Sequence, residues 1–194
     1  MSQWLVAYDL ETKELASNLP GGWANKKGMG ISVLSVYCPD FLSAPMLFDD
    51  HNYKTFLQQF YWNSEITLIS YNGLGFDNKI IEACWIEEGL FPPEATQKKA
   101  LEIDLLAKIW EVKESRFIKG CNLNDVATAT LGQGKAGNGE DAPNLFKERK
   151  FADLHNYCIS DTILTYRLAM FAKQHGYVSS PIHGQIDLNI SWAR

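Results

Sequence analysis

The sequence predicts an α/β domain in which a mixed five-stranded sheet is flanked by helices. Three observations point there. Short apolar runs come first, spaced as antiparallel neighbours. Further short runs then alternate with stretches of helical periodicity, the order expected of a sheet with helices packed on it. At 194 residues with 46% apolar side chains, the chain suits one domain with a substantial core.

The elements follow in order. Gln3–Tyr8 reads as a buried strand ending at Asp9, and Gly30–Tyr37 (GISVLSVY) as a second. Met46–Phe48 is a short third strand between turn signals at Pro45 and Asp49–Asp50. Asn52–Trp62 carries Tyr53, Phe56, Leu57 and Phe60 at helical spacing. Ile66–Tyr71 (ITLISY) is a buried strand, followed by an amphipathic helix over Phe76–Glu88 that Gly89 and Pro92–Pro93 stop. Leu101–Ile103 is the last strand of the sheet. Helices follow over Leu105–Val112, Leu123–Leu131 and Phe151–His175, the last ended by Gly176. Gly132–Gly139 (GQGKAGNG) reads as a mobile loop.

Composition excludes several classes. No apolar run approaches the ~20 residues that span a bilayer, so no membrane partner is expected. MSQWLVAYDL lacks a basic stretch before its apolar run and does not read as a signal peptide. Cys38, Cys84, Cys121 and Cys158 are scattered, as reduced thiols of a cytoplasmic protein would be. The net charge of −5 does not favour tight gripping of long duplex.

Five residues carry the chemistry: Asp9 and Glu11 in VAYDLET, Asp77 in YNGLGFDNKII, and Tyr157 with Asp161 in YCISDTILTY. Asp9 and Glu11 are two apart, which puts both side chains on one face of a strand. Asp77 opens a helix after a glycine-containing turn, where helix-dipole stabilisation alone would also explain it. Tyr157 and Asp161 are one helical turn apart on one face. An unpaired Asp in so apolar a helix is costly to bury. Gathered acids repel and raise each other's pKa, which divalent cations relieve. Magnesium and manganese prefer carboxylate oxygens, and a pair of them suits phosphodiester cleavage.

In order and spacing, D-x-E, N-x-x-x-F-D and Y-x-x-x-D resemble the three motifs of the DnaQ-like 3′–5′ exonuclease superfamily, in its DEDDy branch, over residues 4 to about 172. LFKERKFADLHNYCISD is similar to that family's run into its third motif. The resemblance implies a ribonuclease H-like fold, two divalent cations (Mg2+ or Mn2+), and release of nucleoside 5′-monophosphates from a 3′ end. It implies that Asp9 bridges both metals, that Glu11 and Asp161 complete one metal site, that Asp77 serves the other, and that Tyr157 orients the attacking water. Thr12 would lie near the terminal 3′-hydroxyl, Leu10 and Phe76 would pack against terminal bases, and Asn72 would contact the substrate or fix the turn. The implied substrate is single-stranded or frayed nucleic acid, with DNA favoured over RNA.

Other features read as bystanders. GQGKAG matches a dinucleotide-binding pattern but follows a helix, so a solvated loop is expected, with Lys135 touching phosphate as the sharper alternative. Asp104 is expected to cap the following helix rather than bind metal. The four histidines show no ligand spacing. Lys26–Lys27 and Lys98–Lys99 are expected to be solvated. KELASNLPGGWANKKG is a long loop that would cover the site or shape the substrate channel. Residues 1–176 form the expected exonuclease domain. In the tail, 177–194, Ile186, Leu188, Ile190 and Trp192 alternate as a strand face that packs on its own sheet or meets a protein partner or a second copy. Two rival functions stand: a nucleic-acid-binding module of the same fold without effective catalysis, and a glycosidase, which needs two carboxylates across a sugar cleft and leaves Asp161 unexplained.

Overall fold

The computed structural model describes residues 4–87, 89, 100–137 and 139–192. The expected helix stop at Pro92–Pro93 and the pair Lys98–Lys99 lie outside the described residues.

The five strands are β1 (Trp4–Thr12), β2 (Ile31–Tyr37), β3 (Met46–Phe48), β4 (Ile66–Ser70) and β5 (Leu101–Asp104). They form one sheet in the order β3-β2-β1-β4-β5. β1–β2 and β2–β3 are antiparallel, and β1–β4 and β4–β5 are parallel. The mixed sheet is therefore the predicted one. The parallel pairs need helical crossovers, which the later helices supply.

The helices are α1 (Lys26–Met29), α2 (Tyr53–Phe56), α3 (Asp77–Glu87), α4 (Leu105–Lys113), α5 (Leu123–Leu131), α6 (Ala142–Lys147) and α7 (Phe151–His175). α2 runs into a π-helical turn over Leu57–Tyr61, so the expected helix is there but irregular. α6 was not anticipated by periodicity.

Alternation along β1 builds two cores. Val6, Tyr8 and Leu10 point to one face with Phe56, Ile80 and Ile81. Leu5 and Ala7 point to the other with Leu105, Val126, Leu164 and Leu168. Asp9 and Glu11 continue the second face, which α7 covers. The strand is longer than expected: it runs through both acids to Thr12 instead of ending at Asp9.

The tail folds onto the same domain. β6 (Tyr177–Ser180) pairs antiparallel with β7 (Gly184–Asp187). Ile186 and Leu188 are buried in the second core, and Ile190 and Trp192 pack against it. The alternating face holds through Trp192, although the strand itself stops at Asp187.

Candidate active site

β1 reaches past its parallel neighbour. Its pairing with β4 ends at Ala7–Ile69, whereas its pairing with β2 continues to Thr12–Ile31. Asp9 and Glu11 thus stand on a strand end with one flank open. α7 crosses that flank and brings Tyr157 and Asp161 to it. One carboxylate oxygen from each of Asp9, Glu11 and Asp161 lies within 4.8 Å of the others. Asp161 and Glu11 are buried and Asp9 is partly buried.

Asp77 joins by another route. Past the end of β4, the Leu10 N–H donates to Asp77 Oδ1 at 3.0 Å. This fixes the first turn of α3 to the strand that carries the acids. Asp77 is not part of the close trio; its charge is felt by Asp9 and Glu11 without a shared bond.

A second layer holds α3 in place. The Asn72 N–H and Leu74 N–H donate to the two oxygens of Asp104, at 2.9 and 3.1 Å. The same carboxylate caps α4 by accepting from the Leu106 and Ala107 N–H groups. The expected cap is therefore present, and it also ties down the turn before Asp77. Asn72 sits at φ 73°, in the left-handed region that asparagine tolerates. Below it, Asn78 and Ser70 donate to Glu102 at 2.6 and 2.7 Å, and the Tyr8 hydroxyl lies 2.7 Å from the same carboxylate. Gly73 passes so close that an added Cβ would meet Ser70 Oγ at 2.4 Å and Tyr8 Oη at 2.6 Å.

The electrostatics are those of crowded acids. Burial first, then Glu11, Asp77 and Asp161, push the Asp9 carboxyl well above the usual range. Burial also raises Glu11, with Asp161 and Asp77 adding to it while Lys135 opposes. Asp77 is pushed up to about 7, chiefly by burial, against the pull of the Leu10 N–H. Burial and the neighbouring carboxylates raise the Tyr157 phenol, so it stays protonated.

Lys135 corrects the sequence reading of its loop. It is not simply solvated: its Nζ lies 2.5 Å from Asp161 Oδ2, with the side chain 21% exposed against 1% for Asp161. The ammonium also stands 5.0 Å from the centre of the Tyr157 ring. Burial lowers its pKa, but Asp161, then Asp9 and Glu11, outweigh this and raise it. Gly137 packs within 3.4 Å of the Tyr157 ring at its would-be Cβ, which holds the loop against α7. A lone lysine in a glycine-rich loop gives no periodic signal, which is why the sequence favoured solvent.

The residues present fit divalent cations. Three buried or partly buried carboxylates converge with one ammonium to balance them. Among the described residues, Asp161 Oδ1 and the Tyr157 hydroxyl are buried without a hydrogen-bond partner. A carboxylate oxygen left that way calls for a donor or an ion. The donor set is all oxygen, which suits magnesium or manganese.

The site opens into a cavity of about 620 Å³ that also holds Thr12, Asn72, Phe76 and Trp23. Leu10 borders it too but is only 3% exposed, most of its side chain lying in the first core.

A sequence profile of the RNase H superfamily matches residues 7–174. The chain belongs to the RNase H superfamily. That membership, joined to the carboxylate cluster, supports a nuclease-type function. The chain resembles the solved family B DNA polymerase of the hyperthermophilic archaeon Pyrobaculum calidifontis, with TM-score 0.63 and 16% identity over 88% of this chain and 24% of that one. The chain therefore spans about a quarter of that polymerase's length, and at this identity the likeness is one of fold. No curated protein matches. Among the described residues no helix is long and apolar enough to cross a membrane.

Proposed function

We propose that the chain is a metal-dependent 3′–5′ exonuclease that hydrolyses phosphodiester bonds at a nucleic-acid 3′ end and releases nucleoside 5′-monophosphates. The observation that carries this reading is the meeting of Asp9, Glu11 and Asp161 oxygens within 4.8 Å beside the unpartnered Tyr157 hydroxyl.

Asp9, Glu11 and Asp161 would hold one divalent cation, and Asp9 with Asp77 a second. Bound there, the cations would neutralise phosphate charge, activate water and stabilise the leaving 3′ oxygen. The chain's own residues do the rest. Tyr157, kept protonated by its raised pKa, donates a hydrogen bond that orients the attacking water and does not act as the base. Lys135, charged at any pH near neutrality, attracts the scissile phosphate into the cleft and screens Asp161. Thr12 meets the terminal 3′-hydroxyl, Leu10 and Phe76 bound the terminal base, and Asn72 completes the wall.

The substrate is a single-stranded or frayed end, DNA before RNA. The tail 177–194 is part of the same domain, since its apolar face is occupied by its own core. A reducing compartment such as the cytoplasm suits the buried thiols of Cys38, Cys121 and Cys158.

The test is digestion of single-stranded DNA, duplex DNA and RNA carrying 3′ or 5′ labels, with magnesium, manganese or chelator. The reading expects immediate loss of the 3′ label and a descending ladder from the 5′ label, both abolished by chelator. No shortening in either metal would leave a nucleic-acid-binding module of this fold.

A further inference from the structure

The long connection between β1 and β2 is a folded structure. It forms 3-10 turns over Ala16–Asn18 and Gly22–Ala24, then α1. Main-chain bonds from Lys13 and Glu14 to the Met29 carbonyl close its base at 3.0 and 3.1 Å. The Asn25 side chain staples its tip, donating to the Pro20 carbonyl and accepting from the Gly28 N–H. α1 packs on α3.

The tip presents an indole to the active-site cavity. Trp23 is 67% exposed, yet its ring meets Phe76 edge-on, with centroids 5.9 Å apart and planes at 67°. Lys26 Nζ lies 4.9 Å from the Trp23 ring and 5.1 Å from the Phe76 ring. Trp23 and Phe76 both line the cavity that contains Asp9, Glu11 and Asp161. Phe76 is the residue before Asp77, so this aromatic corner is joined covalently to the carboxylate site. A loop so tightly braced could have buried its tryptophan; instead it holds a bare π-face at the cavity mouth with an ammonium beside it.

We propose that Trp23, Phe76 and Lys26 form a stacking site for the terminal nucleobase of an unpaired strand, with Lys26 serving the adjacent phosphate. The inference deepens the nuclease reading and rests on it. An aromatic face accepts any base, because every base has a π-face. It accepts only a base that is free of its neighbours, because both faces of a base inside a duplex are already covered. The ammonium adds attraction for the phosphate that a neutral corner would lack. The loop is thereby a selector for single-stranded ends and not merely a cover.

The test measures cleavage by wild type, W23A, W23F and K26A on a single-stranded oligonucleotide, a blunt duplex, and bis(p-nitrophenyl) phosphate, a phosphodiester with no nucleobase. Stacking of this kind predicts that W23A raises KM for the single strand roughly 5- to 100-fold, with a much smaller change in kcat. W23F, which keeps an aromatic face, should recover most of the loss. The loss on the oligonucleotide should exceed the loss on the base-free diester at least several-fold, and the preference for single strand over duplex should narrow. K26A should weaken single-strand binding and flatten its salt dependence. A wild-type KM in W23A, or equal losses on the oligonucleotide and the base-free diester, would overturn the proposal. If wild type cleaves nothing, the nuclease reading fails by itself. The stacking site is then read from binding of a fluorescent oligonucleotide to wild type and W23A, where equal affinity would overturn it and a several-fold weaker W23A would support it.

Discussion

Lys135 Nζ lies 2.5 Å from Asp161 Oδ2 in the middle of an otherwise acidic site. The pairing joins a glycine-rich loop to the middle of α7 and partly balances three gathered carboxylates. It also means that a cation seeking Asp161 meets a protein cation already in contact with it.

Removing that ammonium should therefore expose the cost of the cluster. K135A is expected to lose about 3 kcal/mol of stability in chelator, the order seen when one partner of a buried ion pair is deleted. Added manganese should stabilise K135A more than it stabilises wild type. Urea unfolding with and without the metal checks both statements; equal stability of the two proteins in chelator would refute them.

The pH dependence has a defined sign. Asp77 is raised from an ordinary value near 4 to about 7, and Asp9, Glu11 and Asp161 are also raised, each chiefly by burial. The folded protein then holds more protons than the unfolded chain across this window. The contribution of these groups to stability is present at low pH and is lost as pH rises through about 7. Lys135 does not oppose this, because its raised pKa acts only in the alkaline range. Metal-free protein should lose stability from these groups between pH 5 and 8, and saturating manganese should reduce or reverse that slope. Denaturation at the two pH values in chelator and in metal measures it.

Substitution at the centre should separate binding from chemistry. D9A is expected to abolish cleavage while a single-stranded oligonucleotide still binds. Y157F should keep metal affinity but lower kcat about 100-fold, the scale of a misoriented reactant. Turnover of Y157F at the wild-type rate would remove Tyr157 from the mechanism.

The supporting layer should matter as well. Asp104 satisfies the N–H groups of Asn72, Leu74, Leu106 and Ala107. D104A should cost about 2 kcal/mol or more from the lost cap and the unpaired donors. It should also lower kcat more than it changes KM, because the turn that sets Asp77 is released. A destabilised variant with normal kcat would limit Asp104 to the fold.

Much of this was readable in advance. α7 was legible to its last residue, because a long apolar periodicity ending at Gly176 leaves few alternatives, and Gly176 adopts φ 82° as a helix stop. Asp9 and Glu11 were placed on one face by strand alternation alone. What escaped had weak local signal. β1 continues through polar Asp9, Glu11 and Thr12 because β2 pairs with it, a long-range cause that no local pattern carries. α6 is too short to show a period. Lys135 and Trp23 sit on loops, where tertiary contacts with Asp161 and Phe76 decide their positions.

The central claim is that these carboxylates hold cations, and anomalous scattering from a manganese-soaked crystal tests it most directly. The account predicts manganese peaks bonded to Asp9, Glu11 and Asp161, with Lys135 moved off Asp161 and Asp77 facing a second peak. A fully soaked crystal with no peak among these residues, and Lys135 still in contact with Asp161, would contradict it.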